Sequence, residues 1–141
     1  MKKYIFALTA ILLGVFVLMS CDDEIKGSTT FYGEVVVNPS SAKLNENVTF
    51  CIGEGYFFTD NVSVSISSST TINGKDVVKS VSYFVDGNKV AESSDKTNKY
   101  SVLFHIENIT KGRHVVTARC SSNFKNYMIE EHISQGELIV E

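Results

Sequence analysis

Apolar and polar residues alternate with a period of two along most of the chain beyond residue 30, which is typical of strands with one buried face. The alternation is strictest at 62–66, where valine and isoleucine are separated by serine. Clusters of Gly, Asn, Asp and Ser interrupt it and indicate turns. The pattern predicts seven or eight strands, at 31–37, 47–52, 62–66, 77–85, 89–91, 100–106, 114–120 and 137–140.

One span, 124–133, does not follow a single pattern. It either begins a last strand or forms one helical turn through Phe124, Tyr127 and Met128. Elsewhere, the short strands separated by turns predict an all-β domain, built as a single antiparallel sandwich of two sheets. The Asp86-Gly87 pair indicates a tight hairpin, because Gly adopts positive φ freely and Asp tolerates it.

Composition limits the class of protein. The chain has 141 residues, of which 43% are hydrophobic and 21% are charged, and this balance suits one ordinary folded domain. The formal net charge is −3. Nucleic-acid binding requires a surplus of Lys and Arg, so we expect no nucleic-acid partner.

The first 20 residues have the features of a secretory signal peptide. Lys2 and Lys3 precede an uncharged run over 4–21, as in a signal sequence. The run ends at 18–21 in Leu-Met-Ser-Cys, which resembles the lipobox of bacterial lipoproteins, although methionine is a less usual second residue. The resemblance implies cleavage before Cys21 and acylation of that cysteine, so that lipid holds the mature chain on a membrane. The alternative is a membrane helix that ends in a cysteine by chance.

Three acidic residues, Asp22, Asp23 and Glu24, follow that cysteine directly. They resemble the export signal of Bacteroidetes surface lipoproteins, which implies a position on the outer face of the outer membrane. The alternatives are a plain solvated tether and a periplasmic position. We therefore expect three parts: a signal peptide at 1–20, a lipidated cysteine with an acidic flexible tether at 21–30, and the sandwich domain at 31–141.

Two stretches of the chain are similar to immunoglobulin-like domains of Bacteroidetes lipoproteins. One is VTF at 48–50, and the other is VKSVSYFVDGNKV at 78–90, followed by YSVLFHIENITKGRHVVTA at 100–118. In such domains a strand with an aromatic core residue leads through a VDG hairpin to further strands and a Gly turn. The resemblance covers most of 33–120 and implies an immunoglobulin-like sandwich. It implies little about function, because this fold hosts many roles.

The same resemblance implies a disulfide between Cys51 and Cys120, which fall on what would be strands B and F. Strand alternation argues against the bridge. If Val48 and Ile52 face the core, Cys51 faces outward, whereas Cys120 shares the inward face with Val116. A disulfide needs converging Cβ vectors. The pair is therefore either bridged through a bulge near Cys51 or present as two free thiols.

Residues suited to catalysis are scattered along the sequence. His105, His114 and His132 fall on different predicted elements, and neither strand cysteine has a base beside it in sequence. His105 and His114 on neighbouring strands would be a weak indication of a metal site, because no carboxylate lies beside them at strand spacing. We therefore expect a non-catalytic protein with no metal site and no cofactor.

Five aromatic residues lie in the two connections that leave strands B and F, and immunoglobulin-like sandwiches bring those connections to the same end. Tyrosine and phenylalanine offer a large contact area at low entropic cost. The predicted patch for a protein or glycan partner consists of Tyr56, Phe57, Phe58, Phe124 and Tyr127. The alternative is that these side chains complete the core.

Two functions fit the sequence. The first is a binding, adhesion or accessory module held on the outer membrane through Cys21. The second is a structural subunit of an envelope or fimbria-like assembly that pairs through a sheet edge. The candidate edge is the charge-free strand at 62–66, because no lysine guards it between Phe58 and Gly74.

Overall fold

The computed structural model of the chain describes residues 28–53, 55–59, 62–66, 71–72, 74–125 and 127–141, with the backbone alone at 55–59, 62–66 and 72. A single 3-10 turn, Lys96–Asn98, interrupts the β-structure of these residues. Their strands are β1 (Ser28–Asn38), β2 (Ser41–Ala42), β3 (Asn47–Ile52), β4 (Gly55–Thr59), β5 (Val62–Ile66), β6 (Thr71–Ile72), β7 (Lys75–Asp76), β8 (Val78–Val85), β9 (Asn88–Ser93), β10 (Val102–His105), β11 (Gly112–Ser122), β12 (Met128–Ser134) and β13 (Gly136–Val140).

The strands form two main sheets and a small hairpin. The first sheet has the order β10-β3-β1-β4-β5, with β12 also paired to β1, and the second has the order β2-β13-β11-β8-β9. The hairpin consists of β6 and β7. The three-strand sets β1–β3–β10 and β8–β11–β13 correspond to the A-B-E and C-F-G sets of an immunoglobulin-like sandwich. The predicted all-β, immunoglobulin-like sandwich is therefore confirmed by the strand order.

Strand β1 is shared by two ladders because of its length. Its residues 28–34 pair in parallel with β12, and 29–32 also pair with β4 on the other side. Residues 35–38 pair instead with β3. The strand ends before Pro39, which has no backbone N–H to continue a ladder. The N-terminal half of β1 therefore belongs to an added sheet, β12-β1-β4-β5, and its C-terminal half to the sandwich.

The main core lies between the two sheets, where the alternating residues of β3 and β8 meet. Val48, Phe50 and Ile52 are buried on β3, and Tyr83 is fully buried on β8. The rings of Phe50 and Tyr83 lie 5.9 Å apart across the two sheets. The side-chain alternation predicted for these strands is confirmed on the core side, while the residues of the other face are half-buried or exposed, apart from the buried Ser80.

A second, smaller core lies beside the first, under the added sheet. Val77, Phe124 and Tyr127 are buried together there, and the two rings meet edge to face at 5.9 Å. The hydroxyl groups of Tyr127 and Thr29 share a buried hydrogen bond of 2.5 Å. The open question at 124–133 is thus resolved: a turn closes with Tyr127 N–H donating to Phe124 O, and strand β12 follows it.

The structure corrects the predicted boundaries in two respects. The flexible tether was expected to reach Thr30, but β1 begins at Ser28, because Thr29 is anchored by its buried hydrogen bond. The described residues also contain more strands than the seven or eight predicted, since the prediction did not include β2, β4, β6 and β7 and left β12 open. Two of the pairings, β1 with β12 and β2 with β13, are parallel, so the sandwich is not purely antiparallel.

One glutamate joins β12 to the second sheet. Strand β13 pairs with β11 only over 112–116, which leaves the far end of β11 without a partner on that side. Glu131 of β12 lies beside this end and accepts a hydrogen bond from the Cys120 N–H. Its other carboxylate oxygen lies 3.0 Å from Arg119 Nε. A carboxylate therefore satisfies a strand-edge donor that a longer β13 would otherwise meet.

Among the residues described above, we find no helix with the length and apolar character needed to cross a bilayer.

Candidate functional site

Exposed apolar side chains concentrate on one surface of the molecule. Six large hydrophobic residues are exposed among the side chains that the structure describes. Four of them lie on the solvent side of the first sheet, which we call the outer apolar face: Tyr32, Val36, Leu103 and Met128. Leu103 and Met128 are 69% and 67% exposed. The solvent side of an antiparallel sheet is ordinarily polar, so this concentration marks a candidate contact surface.

Strand alternation explains why these residues share a face. On β1 the odd-numbered residues from Thr29 to Val35 point into the cores, so Tyr32 and Val36 point outward. The parallel register pairs Tyr32 with His132 of β12, which is also exposed. The Tyr32 and His132 rings stack with centroids 4.8 Å apart and planes 18° apart. Stacking holds the two rings upright, so that a partner would meet an ordered surface.

The three consecutive aromatic residues of the predicted patch do not lie in a loop. Tyr56, Phe57 and Phe58 belong to strand β4, which pairs with the N-terminal half of β1. Tyr56 is opposite Tyr32 in the register, and Phe58 is opposite Thr30. The register therefore places positions 56 and 58 opposite outward-facing residues of β1. The predicted location in a loop is wrong, because the segment finds a strand partner in β1.

The other two residues of the predicted patch are not available to a partner. Phe124 and Tyr127 are 4% and 8% exposed and form the second core with Val77. The five residues therefore do not form one exposed patch at an end of the sandwich. Thr29 supplies the polar partner that allows the Tyr127 hydroxyl to be buried.

The strand cysteines are free thiols, so the disulfide alternative is wrong. Cys51 lies on β3 opposite Val36, on the face turned away from the core, whereas Cys120 lies on β11 and packs against the core. The two side chains belong to different sheets and face different ways, as the alternation argument predicts. Burial raises the pKa of both thiols, which keeps them protonated and weakly nucleophilic.

The histidines are engaged in separate places. His105 lies on β10 in the first sheet, with its Nδ1 2.8 Å from Asn47 Oδ1. His114 lies on β11 in the second sheet, so the two do not occupy neighbouring strands. Within the part of the chain that the structure describes, no three His, Cys, Asp or Glu residues are grouped as metal ligands.

A cleft of about 350 Å³ opens at one end of the sandwich. It lies between the β8–β9 turn and the loop that joins β10 to β11, and its lining includes Phe104, Glu107 and Ile109. His114 and Asp86 form part of its wall. The hydrogen bond that His114 donates to the Asp86 carboxylate is the main cause that raises the pKa of His114. The same hydrogen bond, together with the Val115 N–H, lowers the pKa of Asp86.

The residues proposed for lipidation and export, Cys21 with Asp22, Asp23 and Glu24, lie outside the described residues.

Sequence reasoning missed the main residues of the outer apolar face. Tyr32 was included in the first predicted strand, but only its neighbour Phe31 fits the buried phase of that strand. Two adjacent aromatic residues in one strand must point to opposite faces, and this signal would have identified Tyr32. The outward positions of Met128 and His132 could not be predicted, because the pattern at 124–133 did not distinguish a strand from a helical turn.

No family model matches the chain, and no curated protein matches it either. One similar solved structure is that of the fibronectin(III)-like modules of CbhA from Clostridium thermocellum, at 13% identity and a TM-score of 0.41. The match covers 81% of this chain and 46% of that chain, so the chain spans about half the length of its structural neighbour. The assignment to the immunoglobulin-like sandwiches therefore rests on this chain's own strand order, with A-B-E facing C-F-G.

Proposed function

We propose that the chain is a non-catalytic binding module, anchored by lipid on Cys21 to the outer membrane and facing the cell exterior. The outer apolar face is the surface through which it contacts a protein or glycan partner. The single observation that supports this function is the concentration of exposed apolar side chains there. The lipobox-like sequence and the three acidic residues after it support the location.

The two exposed hydrophobic residues outside this face provide an internal comparison. Leu44 and Val90 are 39% and 36% exposed, and each lies away from the outward rows of β1, β10 and β12. Scattered exposed residues of this kind are common on soluble domains. A group that shares one sheet face has a different significance, because a partner lying along the length of β1 would contact its members together.

The groups that could support chemistry are held in structural roles. His114 is paired with Asp86, His105 with Asn47, and the two thiols have raised pKa values. Catalysis by a nucleophile requires an activated group with a base beside it. The observed pairings therefore support a module that binds rather than reacts.

The binding surface is tested by the double variant Leu103→Ser/Met128→Ser. We expect its binding to a partner surface to weaken at least about tenfold, since apolar contacts at an interface centre contribute about 1–2 kcal/mol each. Its thermal midpoint should change little, because both side chains are mostly exposed. The measurement is retention of the purified, labelled protein on intact cells and on immobilised glycoprotein.

The matched control for this test is Leu44→Ser/Val90→Ser, which removes two exposed apolar side chains from other surfaces. It should bind as the wild-type protein does. Equal binding by both double variants, or a loss confined to the control, would contradict a role for the outer apolar face.

A second function is supported by the position of β5. This strand ends the first sheet and carries no charged residue over 62–66, so it has none of the charges that usually protect a sheet edge. We propose, as the alternative, that the chain is a structural subunit of an envelope or fimbria-like assembly in which a neighbour adds a strand to β5.

The variant Ser65→Lys tests the edge. Position 65 is opposite Tyr56, which is opposite the outward-facing Tyr32. A lysine on an exposed edge strand opposes strand addition, so we expect complexes solubilised gently from membranes to fall to the monomer mass on native gels. Val90→Lys, on the edge strand β9 of the other sheet, is the control and should leave the complexes intact. Unchanged complexes in Ser65→Lys would exclude pairing through β5.

A further inference from the structure

His114 occupies a position in which both of its ring nitrogens face hydrogen-bond acceptors. Its Nδ1 lies 2.6 Å from Asp86 Oδ2, and its Nε2 lies 2.7 Å from the carbonyl oxygen of Thr110. A carbonyl oxygen cannot donate, and neither can an ionised carboxylate. A neutral imidazole has one N–H and can satisfy one of the two acceptors. The doubly protonated, charged ring satisfies both.

The side chain is also removed from solvent, since His114 is 5% exposed. Water therefore does not readily replace a lost hydrogen bond at this position, and a ring nitrogen facing an acceptor without a proton is unfavourable. Asp86 has a second structural contact, because its Oδ1 accepts a hydrogen bond from the Val115 N–H at 2.9 Å. The acceptor that faces His114 is thus fixed in place by the strand that carries His114.

These two hydrogen bonds connect different segments of the chain. Asp86 belongs to the β8–β9 turn, and Thr110 belongs to the loop 107–111 that precedes β11. One end of the loop is anchored at Ile106, which is fully buried and whose N–H donates to Glu46 O. At the other end Gly112 begins β11 with a φ of +117°. Between these anchors, the ring of His114 connects the loop to the turn at the wall of the end cleft.

We propose that His114 is a proton-dependent latch: the charged ring closes the loop 107–111 onto the β8–β9 turn, and loss of its proton releases the loop and widens the end cleft. The proposal assigns a pH response to a part of the molecule that the proposed binding function does not use. The outer apolar face lies on the first sheet, whereas His114 belongs to the second.

Charged groups near His114 come from the β8–β9 turn and from the loop 107–111, which also carries the exposed Lys111. Asp86 faces it from the β8–β9 turn, and Glu107 lines the same cleft from the loop. On its own strand the neighbouring Arg113 is turned toward β13, where its Nε lies 3.0 Å from Glu137 Oε2. The nearest full charge is therefore the carboxylate of Asp86, which stabilises the charged ring.

The sign of the pH dependence follows from these contacts. Because the folded protein raises the pKa of His114 above its ordinary value of 6.5, the latch contributes its full stabilisation below about pH 6.5. That contribution is lost as the pH rises through the raised pKa. The loop is therefore closed below the raised pKa of His114 and released above it.

The test is made on the purified mature protein with nitrogen-15 labelled histidine. At pH 6 we expect the ring of His114 to carry protons on both nitrogens, and its pKa should fall by about one unit or more in Asp86→Asn. Asparagine keeps a side-chain oxygen for the Val115 N–H, so this variant preserves the turn. Glu137→Gln is the matched control, and it should leave the pKa of His114 unchanged.

Loop release is measured by carbon-13 relaxation of the α-carbons, which exchange of amide protons does not affect. We expect the order parameters of 107–111 to fall from about 0.85, the value of a rigid backbone, to below about 0.6 as His114 loses its proton, while those of Val48 and Phe50 in β3 stay constant. Constant order parameters in the loop while His114 titrates would overturn the latch. A ring that is neutral at pH 6 would overturn it as well.

Discussion

Replacing Tyr83 with alanine should lower the free energy of unfolding by about 3–5 kcal/mol, the usual cost of emptying an aromatic site in a core. Tyr83 is fully buried between the two sheets and packs on Phe50. Its hydroxyl also donates to the Tyr100 carbonyl at 2.7 Å. Urea unfolding followed by circular dichroism measures the loss.

The variant Tyr83→Phe separates the packing of the ring from the hydrogen bond of the hydroxyl group. Burial raises the pKa of Tyr83 far above its usual range, so the hydroxyl remains a donor at every physiological pH. Tyr83→Phe keeps the packing but leaves the Tyr100 carbonyl without that donor, and should cost about 1–3 kcal/mol. Tyr32→Ala, at an exposed site, is the control and should cost about 1 kcal/mol or less. A loss of similar size in Tyr83→Ala and Tyr32→Ala would contradict the central place of Tyr83 in the core.

Replacing Cys21 with alanine should move the protein from the membrane fraction to the soluble fraction. Under the lipoprotein hypothesis the acyl chains on this cysteine are the anchor, and each buried methylene contributes about 0.8 kcal/mol to it. Cell fractionation followed by immunoblotting measures the change. Cys51→Ala, which keeps the lipobox-like sequence intact, is the control and should remain with the membrane. Retention of Cys21→Ala on the membrane would show that the apolar run over 4–21 is itself the anchor.

The direction in which the anchored domain faces is tested on the same cells with proteinase K. If the acidic residues Asp22, Asp23 and Glu24 direct export, the protein on intact cells should be digested while a periplasmic marker survives. Protection that disappears only when the outer membrane is permeabilised would place the domain in the periplasm. It would also favour the assembly function over a role at the cell surface.

The parts of the fold that could be predicted are those in which neighbouring residues carry the information. Val48, Phe50 and Ile52 alternate with polar residues, and the structure buries all three. The alternation also placed Cys51 and Cys120 on faces that do not meet, as observed. Periodicity succeeds in these strands because one face is wet and the other is dry.

The segments that could not be predicted depend on partners far away in sequence. Tyr56, Phe57 and Phe58 show no alternation, and their strand pairs with the distant β1 as well as with its neighbour β5. Tyr127 is buried because Thr29, 98 residues away, meets its hydroxyl. A chain read in order does not reveal such contacts, and the propensity of a short segment gives way to its tertiary surroundings.

The candidate site was difficult to predict for a related reason. Leu103 could be assigned to a strand, but the sequence does not show that this strand lies in the same sheet as β1, with β3 between them. The outer apolar face is therefore a property of strand order and register. The residues that form it come from β1, β10 and β12, and no local motif joins them.

The position of β1 would have a mechanical consequence if lipid on Cys21 holds the chain, as we propose. A pull on that anchor would enter the described part of the chain at Ser28 and run along the axis of β1. Backbone hydrogen bonds lie roughly across a strand, so such a pull would load many of them in shear at the same time. The bonds to β12 and β4 would carry the load first, and those to β3 would follow. Under the proposed anchoring, the added sheet would therefore resist shear before tension reached the sandwich core.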